Sequence, residues 1–270
     1  MTRRLFLPFL AVFALVSCRA GRNYSDPFAP RWIGAAPAVP PVARDTLRVV
    51  SFNIQYARHI DSALAVLGDP ALRKADIVLL QEMDAIGTQR IAAVLGMGYV
   101  YYPAINARRT QRDFGNAILS RWPIEDDDKL ILPHPARFDG SRRIAVAATI
   151  RTGNSRVRVY STHFGTIADI GPGRRRDQLD AIMRDAEPFD RVIIGGDMNS
   201  SSIGEHATAA GYAWPTPTLR TARLGMRYDH FFLRGLHIAG PDAVGVIEDV
   251  RGSSDHRPIW ARIVTGPSIG

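Results

Sequence analysis

The chain has 270 residues, a formal charge of +8 and a single cysteine, Cys18. One cysteine excludes an intramolecular disulfide and a thiolate metal cluster, and the chain carries no Walker-type phosphate loop, internal repeat or block of like charges. The length suits one large two-sheet domain better than two independent ones, and the positive balance is a long-range bias toward anionic partners, phosphate groups and membrane surfaces alike.

Arg3 and Arg4 precede a short apolar run, Leu5 to Val16, that is too short to span a bilayer comfortably. Leu15-Val16-Ser17-Cys18 resembles a bacterial lipobox, which implies removal of residues 1–17 as a signal peptide and lipidation of the Cys18 thiol. An ordinary signal peptide or an uncleaved anchor is the alternative. Cleavage removes two arginines and no acid, so the mature charge is 34 − 2 − 26 = +6. Arg19 follows the cysteine where an Asp would signal inner-membrane retention, so the expected location is the cell envelope, lipid-anchored in the outer membrane. Residues 18–44, rich in Pro and Ala, read as an extended tether. Residues 45–270 are the expected folded domain.

Apolar runs predict strands near 47–54, 76–81, 98–103, 114–121, 143–151, 156–162, 190–195, 228–234 and 258–264. Helical patterns fall near 60–75, 85–95, 173–186 and 202–210, the first interrupted and restarted at Asp69-Pro70. Strands arrive both as adjacent runs and as helix-linked pairs, so the sheets should be mixed.

The strand ends share a grammar. Asn53 closes the first strand and Glu82 stands at the end of the second. His163 closes a third, Asp197 and Asn199 follow the Val192–Ile194 run, Asp229 opens a strand, and Asp255-His256 precede the last one. Each residue alone has an innocent reading: a solvated carboxylate, a satisfied core histidine, or a turn with local side-chain caps. Six placements of metal- and proton-handling residues at strand termini are the pattern of an active site built over a sheet scaffold.

The ordered motifs SFNI, LLQE, GNAILSRWPI, STHF, GGDMN, YDHFF and SDHRPI resemble the endonuclease/exonuclease/phosphatase superfamily from about Leu47 to Val264. The resemblance implies a four-layered α/β sandwich, with two mixed β-sheets face to face and helices outside, and hydrolysis of phosphate esters with a divalent metal, Mg2+ or alternatively Mn2+. Glu82, Asn53 and Asp255 would supply the hard oxygen ligands that magnesium prefers. Asp197 would orient or deprotonate the attacking water, and Asn199 would donate to the phosphoryl oxygen. Asp229 would fix the tautomer of His256 and raise its basicity, and His163 would protonate the leaving oxygen. Asp197 and His256 are expected on opposite sides of one phosphate. Arg175 with Gln178 matches a motif expected to be structural.

Asn116 and Arg112 are the candidate substrate contacts, with backbone capping as the bland reading of Asn116. Gln55 stands where several family members carry an acid or a basic residue, so a second metal ligand there is not supported. Arg108 and Arg109 add a basic loop beside Arg112. The expected activity is a phosphodiesterase acting on nucleic acid or a phospholipid or sphingomyelin headgroup, and the expected state is a monomer. A small-molecule phosphomonoesterase and a non-catalytic envelope binding protein that keeps the fold are the alternatives.

Overall fold

The computed structural model describes residues 21–35, 45–107, 110–153 and 155–265. The expectations placed on the leader 1–17, on Cys18 and on Arg108 and Arg109 lie outside the described residues.

The elements run β1 (Gly21–Asn23), β2 (Trp32–Gly34), β3 (Thr46–Asn53), α1 (Ile60–Leu67), β4 (Ile77–Met83), α2 (Ala85–Leu95), β5 (Gly98–Ala107) and β6 (Arg112–Ser120). There follow β7 (Ile124–Ile131), β8 (Ile144–Thr152), β9 (Ser155–His163), α3 (Pro172–Asp185), β10 (Val192–Asp197), α4 (Ile203–Ala209) and β11 (Asp229–Arg234). The chain closes with β12 (His237–Ile238), β13 (Val244–Val246) and β14 (Ile259–Val264). One sheet is nine-stranded, in the order β1-β5-β6-β4-β3-β14-β12 with β2 on β5 and β13 on β14; the other is five-stranded, β11-β10-β9-β8-β7. Both are mixed: β3–β4 and β9–β10 are parallel pairs among antiparallel neighbours.

Side-chain alternation explains the layers. In β3, Leu47 and Val49 belong to the core between the sheets, whereas Val50 and Phe52 face the core beneath α1 and α2. In β10, Ile193 points between the sheets and Val192 and Ile194 point to α3 and α4. Strands buried on both faces read as near-continuous apolar runs. Helices, sheet, sheet and helices therefore stack as the sandwich expected from the motifs.

Several elements differ from expectation, among them the short strands β12 and β13, which no apolar run announced. α1 stops at Leu67, because Gly68 caps it; Asp69 then accepts from Ala71 N at 2.8 Å and starts a turn rather than a second helix. β7 is an additional strand that runs through the acidic stretch Glu125–Asp128, where no strand is predicted. The region taken as a tether is in part a strap on the domain. β1 and β2 both pair with β5; Arg31 Nε donates to Asp127 Oδ1 at 2.7 Å and Lys129 Nζ to Ala29 O at 2.7 Å. Residues 21–35 thereby neutralise Asp127, give Lys129 an acceptor and cover the outer edge of β5.

Candidate active site

The site forms where both sheets present the same strand ends. Pleat parity continues the inter-sheet face of β3 through Ser51 to Asn53, that of β9 through Ser161 to His163, and that of β10 through Gly195 to Asp197. Register then aligns them: Asp197 lies opposite His163 on β9 and Asp229 on β11, and Asn53 opposite Gln81 on β4. Beneath this row, Gln81 Nε2 donates to Ser161 Oγ at 3.1 Å and ties the two sheets together.

Glu82 violates parity. Positions 78 and 80 face the helices, so 82 should too. Instead a bulge between Leu80 and Met83 and a φ of 59° at Glu82 turn its carboxylate to the other face. There Oε1 accepts from Asn53 Nδ2 at 3.1 Å and Oε2 from Tyr56 N at 3.0 Å. A left-handed non-glycine residue costs of order 1 kcal/mol or more and concentrates at functional sites.

Asp197 is the hub. Its Oδ2 accepts from Asn53 Nδ2 at 3.1 Å and lies 3.5 Å from His163 Nε2 and 3.6 Å from His256 Nε2, while Oδ1 accepts from Asn199 N at 2.9 Å. Burial, with Asp229 and Glu82 nearby and His256 opposing, pushes the Asp197 carboxyl up to about 7. His256 Nδ1 sits 2.8 Å from Asp229 Oδ2. Burial pulls its imidazole down, but Asp229 and Asp197 together hold it up to about 10. His256 is thus the cation between two carboxylates. Its position comes from Ser254, whose Oγ donates to Asn53 O at 2.6 Å and accepts from His256 N at 3.0 Å.

His163 departs from its expected role. Burial first, then Arg143 and His256, hold it well below its ordinary value, so it is neutral and has no extra proton to give a leaving group. Arg143 Nη1 lies 3.2 Å from His163 Nδ1 and 3.4 Å from Nε2, and Nε2 stands 3.5 Å from Asp197 Oδ2. His163 is thus packed between Arg143 and Asp197 as a neutral ring. Asp197 and His256 are direct neighbours, too close to stand on opposite sides of a phosphate.

Asn199 does not share a strand face with Asp197, because β10 ends at Asp197 and Asn199 takes a left-handed φ of 48°. One of its amide hydrogens goes to Phe164 O at 3.1 Å. Asn116 is buried and donates to Ile144 O at 2.9 Å, which stitches the sheets and matches the capping reading rather than substrate contact. Arg112 is paired with Asp84 at the edge of the cleft. Arg175 and Gln178 are structural as expected: Arg175 Nη1 holds Ile170 O at 2.8 Å and Gln178 Oε1 accepts from Gly165 N at 3.1 Å, which fixes the loop after His163.

Arg143 escaped the sequence reading. It reaches His163 and Asp169, stacks over the Phe114 ring at 5.5 Å, and its buried Nε has no hydrogen-bond partner. Nothing in Ser141-Arg142-Arg143 distinguishes it from the other arginines of the chain except its place one residue before a strand. With Tyr56, Arg58, Phe114, Arg142 and Asp169 it lines a cleft of about 420 Å³ beside the carboxylates.

The donor set fits a hard divalent cation. The Glu82 carboxyl is buried and pushed up by desolvation, its hydrogen-bond donors are neutral, and Asp255 is close enough to push it further. Arg143 and His256 oppose that rise without cancelling it, so the carboxyl stays raised by burial and would gain from a cation. Asn53 presents nitrogen to both carboxylates and its Oδ1 accepts from Gln55 N at 3.1 Å, so it holds Glu82 and Asp197 in place; ligation by its oxygen requires an amide flip. Asp197, Asp229 and His256 also offer ligand atoms within 4.8 Å of one another. A His256 that keeps its proton is a poor metal ligand, however, so Glu82 with Asp255 is the better pair.

Residues 50–256 match the Endonuclease/Exonuclease/phosphatase family, and the chain belongs to it. Its members are phosphoesterases and nucleases. Among solved structures, it is similar to D. rerio TDP2 complexed with a single-strand DNA product, at 16% identity and TM-score 0.64 over 82% of this chain and 100% of that one. The human nocturnin catalytic domain with bound sulfate aligns at 17% identity and TM-score 0.60, over 86% of this chain and 97% of that one. The family protein from Beutenbergia cavernae aligns at 18% identity and TM-score 0.62, over 83% and 72%. At these identities the likeness establishes the fold. No curated sequence matches.

Proposed function

We propose that this chain is a divalent-metal-dependent phosphodiesterase, with Mg2+ the preferred ion and Mn2+ a substitute. The observation that carries this reading is the Asp197 carboxyl held near 7, between the His256–Asp229 pair and Asn53–Glu82. Bound at Glu82 and Asp255, the cation would polarise a phosphoryl oxygen and stabilise the charge that develops on it. Asp197 orients the attacking water and takes its proton. His256, kept cationic by Asp229, donates through Nε2 to the phosphoryl oxygens or the departing alkoxide. Asn53 holds the Asp197 carboxylate in one orientation. The cleft beside Arg143 gives room for a substituent on the phosphate, which favours a diester over a small monoester.

The lipobox-like Cys18 supports an envelope location with an N-terminal lipid. The bis-p-nitrophenyl phosphate assay, run with magnesium and with EDTA, tests the reading. Hydrolysis that EDTA stops and magnesium restores is expected. A protein that binds the diester without turning it over is a binding protein that kept the fold.

A further inference from the structure

The chain enters the fold at the lip of its own catalytic cleft. β1 starts at Gly21, opposite Ala107, the last residue of β5, and both Ile105 and Ala107 line the cleft. Asn23 Nδ2 donates to Gly140 O at 3.0 Å, and its Oδ1 accepts from Arg142 N at 2.8 Å, which fastens the strand to the loop that carries Arg142 and Arg143. Cys18 is three residues before Gly21. Three residues of extended chain reach about 10 Å. A lipid on Cys18 therefore holds this end of the sandwich at the bilayer, where a tether of 27 residues (18–44) would have left it free to turn.

The same end carries apolar side chains that the fold leaves in water. Phe138 (72% exposed) adjoins the cleft residue Asp139, and Ile167 (59%) adjoins Thr166. Leu224 is 99% exposed, with a left-handed φ of 58°, on the turn whose Arg223 Nε lies 3.9 Å from Asp255 Oδ2. A strained, fully exposed leucine at a turn tip lowers the stability of the free protein and asks for an apolar partner. Exposed Arg58, Arg137, Arg223 and Arg227 stand on these loops. Of the acids there, Asp169 pairs with Arg143 at 3.5 Å and Asp255 with Arg223 at 3.9 Å. Apolar tips beside Arg58, Arg137 and Arg227, which make no ion pair among the described residues, match the interface of an anionic bilayer.

We infer that the cleft end is a membrane-docking face, and that the substrate is a phosphate ester in the headgroup of a lipid in the bilayer that carries the anchor. This rests on the reading of Cys18 as lipidated and of the centre as a phosphodiesterase. Phe138, Ile167 and Leu224 enter the acyl boundary, the arginines meet lipid phosphates, and the Cys18 lipid fixes the orientation.

The test uses the full lipidated chain in vesicles of phosphatidylglycerol and phosphatidylethanolamine. Acylation consumes the one native thiol, so Phe138→Cys, Leu224→Cys and Val94→Cys each place a single fluorescent label. Val94 is the control, exposed at the far end of α2. Spin-labelled lipid should quench the labels at 138 and 224 at least twofold and leave the label at 94 unchanged. Equal quenching at all three, or none at the rim, overturns the docking face, as does a Cys18 thiol that still reacts with maleimide. The triple variant Phe138→Ser/Ile167→Ser/Leu224→Ser should lose at least tenfold in hydrolysis of vesicle phospholipid and keep its rate on bis-p-nitrophenyl phosphate. Vesicle hydrolysis at the wild-type rate, or cleavage of single-stranded DNA with vesicles ignored, also overturns the proposal. Rim labels that quench in a protein inert toward the soluble ester would instead refute the phosphodiesterase and leave the docking standing.

Discussion

Asp197 and His256 carry opposite consequences of the same burial. Asp197 works as a base only when deprotonated, so below about 7 the rate should rise nearly tenfold per pH unit and then level. Asp197→Asn should remove that limb from the pH–rate profile and lower kcat by about a thousandfold. The His256 imidazole titrates near 6.5 when unfolded and near 10 when folded. Its stabilisation is complete below 6.5 and fades as the pH rises through about 10. His256→Gln, which strands the buried Asp229, should cost about 3 kcal/mol near pH 6. Urea midpoints of variant and wild type should converge toward pH 10, and a gap that stays constant would deny the ion pair. Glu82 differs in kind, because burial raises its carboxyl despite Arg143 and His256 nearby, and a bound cation would relieve that cost. Glu82→Gln should keep or raise the metal-free melting temperature while titration calorimetry loses the magnesium signal.

At the scale of the element, the close approach of β10 to β9 depends on Gly196. Its φ is +146°, and a Cβ there would stand 1.9 Å from Thr162 O. Gly196→Ala should destabilise the fold by about 3 kcal/mol and displace Asp197 with it, seen as a fall in melting temperature together with lost activity. This glycine was legible in the motif, as were the strands whose apolar runs are buried on both faces. β7 was not, because Asp126, Asp127 and Asp128 suggest solvent. The strand forms because Arg31 and Arg158 neutralise Asp127 and Asp128, at 2.7 Å each, from segments 96 and 30 residues away. The identity of Glu82 was legible and its direction was not, since the bulge that turns it leaves no periodic trace. Arg143 was hidden for a related reason: its importance lies in the packing of Phe114 and His163 around it, which a run of arginines does not announce.

Across the whole molecule, the strap of residues 21–35 acts as part of the first sheet. Removing it leaves the edge of β5 bare and takes from the buried Lys129 ammonium its acceptors Ala29 O and Tyr24 O. A chain beginning at residue 36 should melt several degrees lower and associate on size-exclusion chromatography. Unchanged melting and a monomeric profile would show the strap to be dispensable.

The last strand, β14, inserts between β3 and β12, with Ile259 opposite Ser51, two residues before Asn53. Asp255 and His256 reach the centre only when that insertion is made. A chain that ends before β14, whether nascent on the ribosome or clipped after β11, holds Asp197 and Glu82 without the cationic imidazole beside them. The centre is thus completed only once β14 has been made, and proteolysis of that strand should abolish the proposed activity without touching any residue that precedes β12.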